Sequence, residues 1–241
     1  MHDHTLTSAP IDWDRYRLVI FDMDGTLYRQ RPVQVAMAAK LLADALLTRR
    51  TTTLRTVRAF RHCRETLLDG STDLARDQYA VSAGMLGTTA EAVRAVAERW
   101  IEQEPLGILG RHRLAGVAEL FASLRERGKT IAILSDYPAA AKLAALGLEA
   151  HFIACATDPE INRLKPHPRG IETLLQRAGV NREQCLMIGD RDDRDGEAAR
   201  RAGVDCLILS RRASAANHFC HYNDPRFAAL SRPTNDKTRR T

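Results

Sequence analysis

Three things are scarce in this chain of 241 residues: lysine, with five of the 36 cationic side chains, cysteine, also five, and aromatic residues, at 5%. The cysteines (Cys63, Cys155, Cys185, Cys206, Cys220) are odd in number and scattered without metal-ligand spacing. That argues against a thiolate metal site and points to a reduced, cytoplasmic setting. Three of them, Cys155, Cys185 and Cys206, lie in apolar runs and read as small buried hydrophobes. No stretch approaches the ~18 uninterrupted apolar residues of a membrane span. The polar segment Met1 to Tyr16 lacks an apolar stretch of signal-peptide length, so no membrane partner is expected. Internal repeats, low-complexity tracts, a Walker-type phosphate loop and a dinucleotide glycine fingerprint are also missing. The net charge of +6 would tolerate an anionic partner, but the 31 arginines are spread along the chain. The nearest thing to a nucleic-acid signal, Arg239-Arg240, sits in the tail, where a solvated terminus is the better account. No nucleic-acid partner is expected.

What is present is a 44% hydrophobic content, enough for one large domain or a core domain with a smaller insertion. Apolar runs of strand length recur at Leu18–Phe21, Thr130–Leu134, Phe152–Ala156, Cys185–Ile188 and Cys206–Leu209. From the second run onward they alternate with helical stretches: Leu114–Leu124 stopped by Gly128, Ala139–Leu146 ending at Gly147, Pro168–Ala178 before Gly179, and Asp195–Ala202 before Gly203. Such alternation predicts a parallel α/β sheet. Residues 29–112 break it with four amphipathic segments, Val33–Leu47, Leu54–Leu68, Asp73–Leu86 and Ala90–Ile101, expected as an inserted helical subdomain. Turn chemistry at Asp69-Gly70-Ser71-Thr72-Asp73 marks the bend between its second and third helices. Arg55, Arg58, Arg61 and Arg64, at three-residue steps, read as a solvated helix flank. The expected division is a discontinuous core of residues 14–28 and 113–230, an insertion at 29–112, and flexible termini at 1–13 and 231–241, with Pro225–Leu230 a small docking helix before the tail.

The segment that carries the most information is Asp22-Met23-Asp24-Gly25-Thr26, directly behind Leu18-Val19-Ile20-Phe21. Residues two apart in a strand share a face, so Asp22 and Asp24 aim at one point where the strand ends, and Gly25 lets the chain turn away. An Asp-Gly turn after a buried strand is the bland alternative. Three further signals also stand at or beside strand ends: Ser135 after Ile131–Leu134, Asp190 after Cys185–Gly189, and Lys165 before Pro166 at a helix entrance. Each has a plain reading alone, as a helix cap, a solvated acidic loop or a surface lysine. Their convergence on one sheet edge, where open parallel sheets bind ligands, is what those readings leave unexplained. The chemistry is coherent. Asp22 suits a nucleophile that carries an aspartyl-phosphate, and Asp24 an acid/base beside it. Ser135 and Lys165 suit holders of phosphoryl oxygens, and Asp22 with Asp190 suits Mg²⁺.

Phe21-Asp22-Met23-Asp24-Gly25-Thr26-Leu27, Leu134-Ser135-Asp136, Lys165-Pro166 and Gly189-Asp190 followed by Asp195 resemble, in order, the four motifs of the haloacid dehalogenase superfamily. The resemblance implies a Rossmann-like core, a mobile helical cap at residues 29–112 and Mg²⁺-dependent phosphatase activity on a small phosphorylated metabolite. It assigns Asp22 as nucleophile and Asp24 as acid/base. Ser135, Lys165, Gly25, Thr26 and Asp136 become the substrate-binding set. Asp22, Asp24 through its main-chain carbonyl, Asp190 and Asp195 become the metal set. The family's second acid in the fourth motif follows the first by four or five positions. Four gives Arg194 and five gives Asp195, with Asp192 and Asp193 as substitutes. A phosphomutase, a dehalogenase and a catalytically silent binding protein share this core. The dehalogenase needs neither Mg²⁺ nor an acid at the position of Asp24.

Overall fold

The computed structural model describes residues 11–66, 71–212 and 214–230. The tail from Ser231, the first ten residues and the Asp69-Gly70 part of the expected turn lie outside them. Six strands, β1 (Leu18–Phe21), β2 (Thr130–Ser135), β3 (Phe152–Cys155), β4 (Cys185–Gly189), β5 (Asp205–Leu209) and β6 (His218–Phe219), form one sheet in the order β3-β2-β1-β4-β5-β6. Every pairing is parallel. The continuous apolar runs have a direct cause: both faces of such a sheet are covered, so no residue of β1 or β4 meets water. Alternation then sorts the side chains. Val19, Phe21, Ile131, Ile133, Leu186 and Ile188 enter one apolar cluster, with Leu120, Phe121 and Leu124. Leu18, Ile20, Ala132, Leu134 and Met187 enter the other, with Ile171, Leu174 and Ala198. Each fully buried Leu, Ile or Phe stabilises the fold by about 1.5–3 kcal/mol.

Five helices lie among the described residues of the segment 29–112 that follows β1: α1 (Gln30–Thr48), α2 (Thr52–Thr66), α3 (Leu74–Leu86), α4 (Ala90–Ala97) and α5 (Leu106–His112). The chain leaves the sheet and returns through adjacent segments: the Arg29 N–H donates to the His112 carbonyl (2.8 Å) and the Leu114 N–H to the Leu27 carbonyl (3.0 Å). A second tie links the α2–α3 bend to the core, where Asn162 receives the Leu74 N–H and donates to the Thr72 carbonyl. The remaining helices are α6 (Val117–Glu126), α7 (Ala140–Ala145), α8 (Arg169–Ala178) and α9 (Glu197–Ala202).

Several expectations require correction. The fourth inserted helix changes at Glu98 into a π-helical turn, Glu98–Gln103, and α5 is additional. Asp195 does not begin a helix but sits within a π-helical turn, Asp192–Gly196, ahead of α9. Pro225–Leu230 yields only a 3-10 turn, Pro225–Phe227, and β6 is a strand without a sequence signal. Ile11 and Trp13, placed in the flexible N-terminus, are buried, and the Trp13 indole donates to the Arg226 carbonyl (2.9 Å). Much of the small aromatic complement gathers there, with Tyr16, Phe219, Tyr222 and Phe227.

Candidate active site

The order of the sheet places the ends of β2, β1 and β4 side by side, and the chain reverses its direction of winding at β1, where open sheets of this kind offer a crevice. Asp22 is the first residue beyond β1. Its N–H still donates to the Ile188 carbonyl (2.9 Å), which fixes its backbone to β4. Its carboxylate is buried and doubly held: Oδ2 accepts the Thr26 hydroxyl (2.9 Å) and Oδ1 accepts the Lys165 ammonium (2.5 Å). Lys165 also donates to Asp195 Oδ1 (2.7 Å), so one buried cation bridges the ends of β1 and β4. Gly25 is required twice over. Its φ of +101° lies in the left-handed region, and a Cβ there would stand 2.1 Å from an Asp190 carboxylate oxygen.

The fourth-motif ambiguity has a geometric answer. Asp192 turns outward to Arg200 (3.1 Å) and Asp193 to Arg191 (2.8 Å). Arg194 donates to the Lys165 and Glu65 carbonyls. Asp195, only 1% exposed, faces inward, and its Oδ2 accepts the N–H groups of Asp190 (3.2 Å) and Arg191 (3.1 Å). Gly189 makes room for it, since a Cβ there would lie 2.4 Å from Asp195 Cγ. Asp22, Asp190 and Asp195 each bring a carboxylate oxygen within 4.8 Å of the others. Burial, then the neighbouring acids, pushes the Asp22 carboxyl well above its usual range against the pull of Lys165. Burial and Asp195 push Asp190 up to about 7. Burial alone would lower Lys165, but Asp195 and Asp22 outweigh it and hold the ammonium well above its ordinary value. Crowded hard oxygens with so much unrelieved negative charge are the donor set that suits Mg²⁺.

Ser135, the last residue of β2 and 1% exposed, receives the Tyr137 N–H on its Oγ (3.2 Å). Asp136 accepts the Lys165 N–H (3.1 Å), so its carboxylate supports the backbone that carries Lys165. All of Asp22, Asp24, Ser135, Asp136, Lys165, Asp190 and Asp195 line one cavity of about 350 Å³. Gly25 and Thr26 are not among its lining residues. Thr26 is fully buried and acts on Asp22 rather than on the cavity.

The side chain of Asp24 turns toward α7. Both its oxygens accept from the buried Lys142 ammonium (2.8 and 2.9 Å), and Oδ1 also accepts the Tyr28 hydroxyl. Burial opposes ionisation there, but Lys142 and Tyr28 outweigh it and hold the Asp24 carboxyl below its usual range. Neither Lys142 nor Tyr28 was expected from sequence, although a lone lysine in an alanine-rich helix, in a chain with five lysines, was a signal.

Opposite the sheet edge the cavity is closed by α1 and α2, through Gln30, Gln34, Arg61 and Arg64. The arginine run is therefore not one solvated flank. Arg55 and Arg58 are exposed, Arg61 is exposed yet lines the cavity, and Arg64 is 4% exposed. Arg64 donates to the Gln78 side chain and the Asp136 carbonyl, with its guanidinium 4.4 Å over the Tyr137 ring. It thus joins α2 to the loop after β2.

The arrangement, a buried carboxylate flanked by a lysine, a serine and an acidic cluster at a sheet edge, is that of a hydrolase. The chain belongs to the haloacid dehalogenase-like hydrolase family, whose model matches residues 16–203. Among curated proteins it is 28% identical over 201 residues to a phosphoglycolate phosphatase of Pseudomonas syringae pv. tomato, covering 80% of this chain and 69% of that one. It is 32% identical over 129 residues to a phosphoserine phosphatase of Thermus thermophilus, covering 52% of this chain and 50% of the other. Among solved structures, a putative hydrolase of the same family from Bacillus subtilis, bound to magnesium, superposes with a TM-score of 0.64 at 15% identity, covering 90% of this chain and all of that one. No helix among the described residues is long and apolar enough to cross a membrane.

Proposed function

We propose that this protein is a Mg²⁺-dependent phosphatase that hydrolyses a small phosphorylated metabolite through an aspartyl-phosphate on Asp22. The observation that carries this reading is the meeting of Asp22, Asp24, Ser135, Lys165 and Asp190 on the wall of one cavity. An oxygen of Asp22 bonds to phosphorus while the bond to the leaving oxygen breaks, and that oxygen takes its proton from Asp24. Water then attacks the same phosphorus and gives its proton to Asp24, and the bond from Asp22 to phosphorus breaks to release phosphate. Ser135 and Lys165 hold the phosphoryl oxygens, Ser135 by a hydrogen bond and Lys165 as a point charge, while Asp136 and Thr26 keep Lys165 and Asp22 in place. Asp22, Asp190 and the Asp24 main-chain carbonyl would hold Mg²⁺, with Asp195 behind them. When bound, the ion offsets the repulsion between these carboxylates and the phosphate.

In this reading residues 14–28 and 113–230 are the catalytic core and residues 29–112 a cap that closes over the leaving group. The cap carries 13 Lys and Arg against 9 Asp and Glu. Arg61 forms no hydrogen bond or ion pair among the described residues, although it lines the cavity. A leaving group with its own negative charge would meet it. The named substrates of both phosphatase relatives carry a carboxylate, which supports that preference. The five free cysteines support a cytoplasmic setting. The test is hydrolysis of a panel of phosphomonoesters by the purified protein, with Mg²⁺ and then with excess chelator. Mg²⁺-dependent turnover, better on acidic than on neutral esters, is expected. Full activity on these esters in chelator would overturn the Mg²⁺ dependence, and no turnover of any of them would overturn the phosphatase reading in favour of a dehalogenase or a silent binding protein.

A further inference from the structure

The side chain of Asp24 is held more closely than a cavity-wall carboxylate needs to be. Lys142 Nζ lies 2.8 Å from Oδ1 and 2.9 Å from Oδ2, and the Tyr28 hydroxyl donates to Oδ1 as well. The Lys142 side chain is only 5% exposed, while that of Asp24 keeps 17%, and both line the cavity beside Tyr28. Tyr28 is itself fixed, since its backbone pairs with Asp24 on one side and Arg113 on the other where the chain crosses between sheet and insertion. A carboxylate offers about four lone-pair positions. Lys142 and Tyr28 together occupy two on Oδ1, and Lys142 takes one on Oδ2.

Resting on the phosphatase reading, we propose that Lys142 is the positioning residue for Asp24, with Tyr28 assisting: they fix the carboxylate plane and leave Oδ2 as the single oxygen that exchanges protons with the substrate. The substrate's phosphate monoanion gives its proton to Oδ2 on binding, and in the first step that proton passes to the leaving oxygen as its bond to phosphorus breaks. In the second the attacking water loses its proton to the same Oδ2 as the bond from Asp22 to phosphorus breaks. Without the lysine the carboxylate can rotate about its Cβ–Cγ bond, and both transfers lose alignment. General acid–base assistance contributes about 10²–10⁴-fold to a rate, so partial misalignment is readily measured.

The experiment compares Lys142→Met with wild type, with Mg²⁺ present, on an alkyl phosphate and on 4-nitrophenyl phosphate. The alkyl leaving group needs a proton and nitrophenolate does not. On the alkyl ester kcat is expected to fall about 10–100-fold with KM within about threefold, because proton transfer is lost and binding is kept. On the aryl ester the first step stays fast and the second slows, so the variant should release a burst of one nitrophenolate per enzyme before a slow steady state. Lys142→Arg, which keeps the cation, should recover part of the alkyl-ester loss. If Lys142→Met does not fold, Tyr28→Phe, which deletes only the hydroxyl, should show the same pattern at smaller amplitude. Equal losses in burst and steady state, or no loss on either ester, would overturn the proposal, since a merely structural lysine slows both phases alike. A wild type that hydrolyses neither ester would defeat the phosphatase reading and this assignment with it. That result differs from an active wild type whose Lys142 variant is unchanged.

Discussion

The two walls of the cavity are built on opposite terms. On the sheet side most side chains are committed before any ligand arrives: Lys165 to Asp22 and Asp195, Lys142 to Asp24, Thr26 to Asp22, and Asp136 to the Lys165 backbone. Glycines at 25 and 189 mark contacts too close for a Cβ. On the helical side Gln30, Gln34 and Arg61 face the same space with no hydrogen bond to the sheet wall among the described residues, while Arg64 and the Glu65 carbonyl are tied across. A wall that positions reacting atoms must be rigid whatever the substrate, because a misplacement of about 1 Å can cost roughly a hundredfold in rate. A wall that selects a leaving group needs uncommitted polar groups.

The sharpest way to break this division is Asp22→Asn. Asparagine keeps an oxygen for the Thr26 hydroxyl or for Lys165, so the fold should survive, as judged by a thermal melt within a few degrees of wild type. Turnover should fall by at least about a thousandfold, the scale seen when a covalent nucleophile is removed. Substantial hydrolysis by a well-folded Asp22→Asn sample would rule out the covalent role. A loss of the same size from removing a helical-wall residue such as Arg61 would erase the proposed contrast.

Metal binding sharpens the comparison through pH. The Asp22 and Asp190 carboxyls are held above their ordinary range by burial and by their acidic neighbours, Asp190 at about 7. A carboxyl whose pKa is raised by folding contributes stability that is present at low pH and lost as pH rises through the folded value. The metal-free protein should therefore lose stability as pH rises from about 4, the ordinary carboxyl range, through about 7. Mg²⁺ binds the ionised forms, so its dissociation constant should fall about 10–100-fold from pH 6 to pH 8, with one or two protons displaced. The rise in Tm on adding Mg²⁺ should correspondingly be larger at pH 8. A pH-independent Mg²⁺ effect would mean that these carboxylates are not its ligands.

The same contrast governs how much of the molecule is legible in the sequence. The first five strands announce themselves because a doubly covered sheet demands unbroken apolar runs, and Asp22, Ser135 and Asp190 stand out as polar residues at or just beyond the ends of three of them. What escapes notice depends on phase or on distant partners. Arg64 has the same type and spacing as Arg55 and Arg58, and only its place on the buried face with Phe60 and Cys63 sets it apart. The short helix α5 contains Gly107 and Gly110, which mask its helical pattern, and β6 has two residues and no period. Asp195 is legible as the second acid of the fourth motif, but its contact with Lys165, 30 residues away, is not. Lys142 looks like an exposed helix lysine because its partner, Asp24, is 118 residues away.

The smallest expected effect belongs to Arg61, and it tests the helical wall alone. The side chain is exposed, so a carboxylate on the leaving group would form a solvent-screened pair worth up to about 1 kcal/mol, and reversing the charge would turn that gain into a loss of similar size. Arg61→Glu should therefore raise KM for carboxylate-bearing phosphoesters about tenfold, with Arg61→Ala in between, and added salt should shrink the difference. Neutral esters should change by less than about threefold, because the sheet wall alone holds the phosphoryl group. Mg²⁺ affinity should be unaltered, since none of the candidate ligands lies on α2. If Arg61→Glu instead weakens Mg²⁺ binding and leaves the preference among esters intact, the two walls do not divide the work as their construction implies.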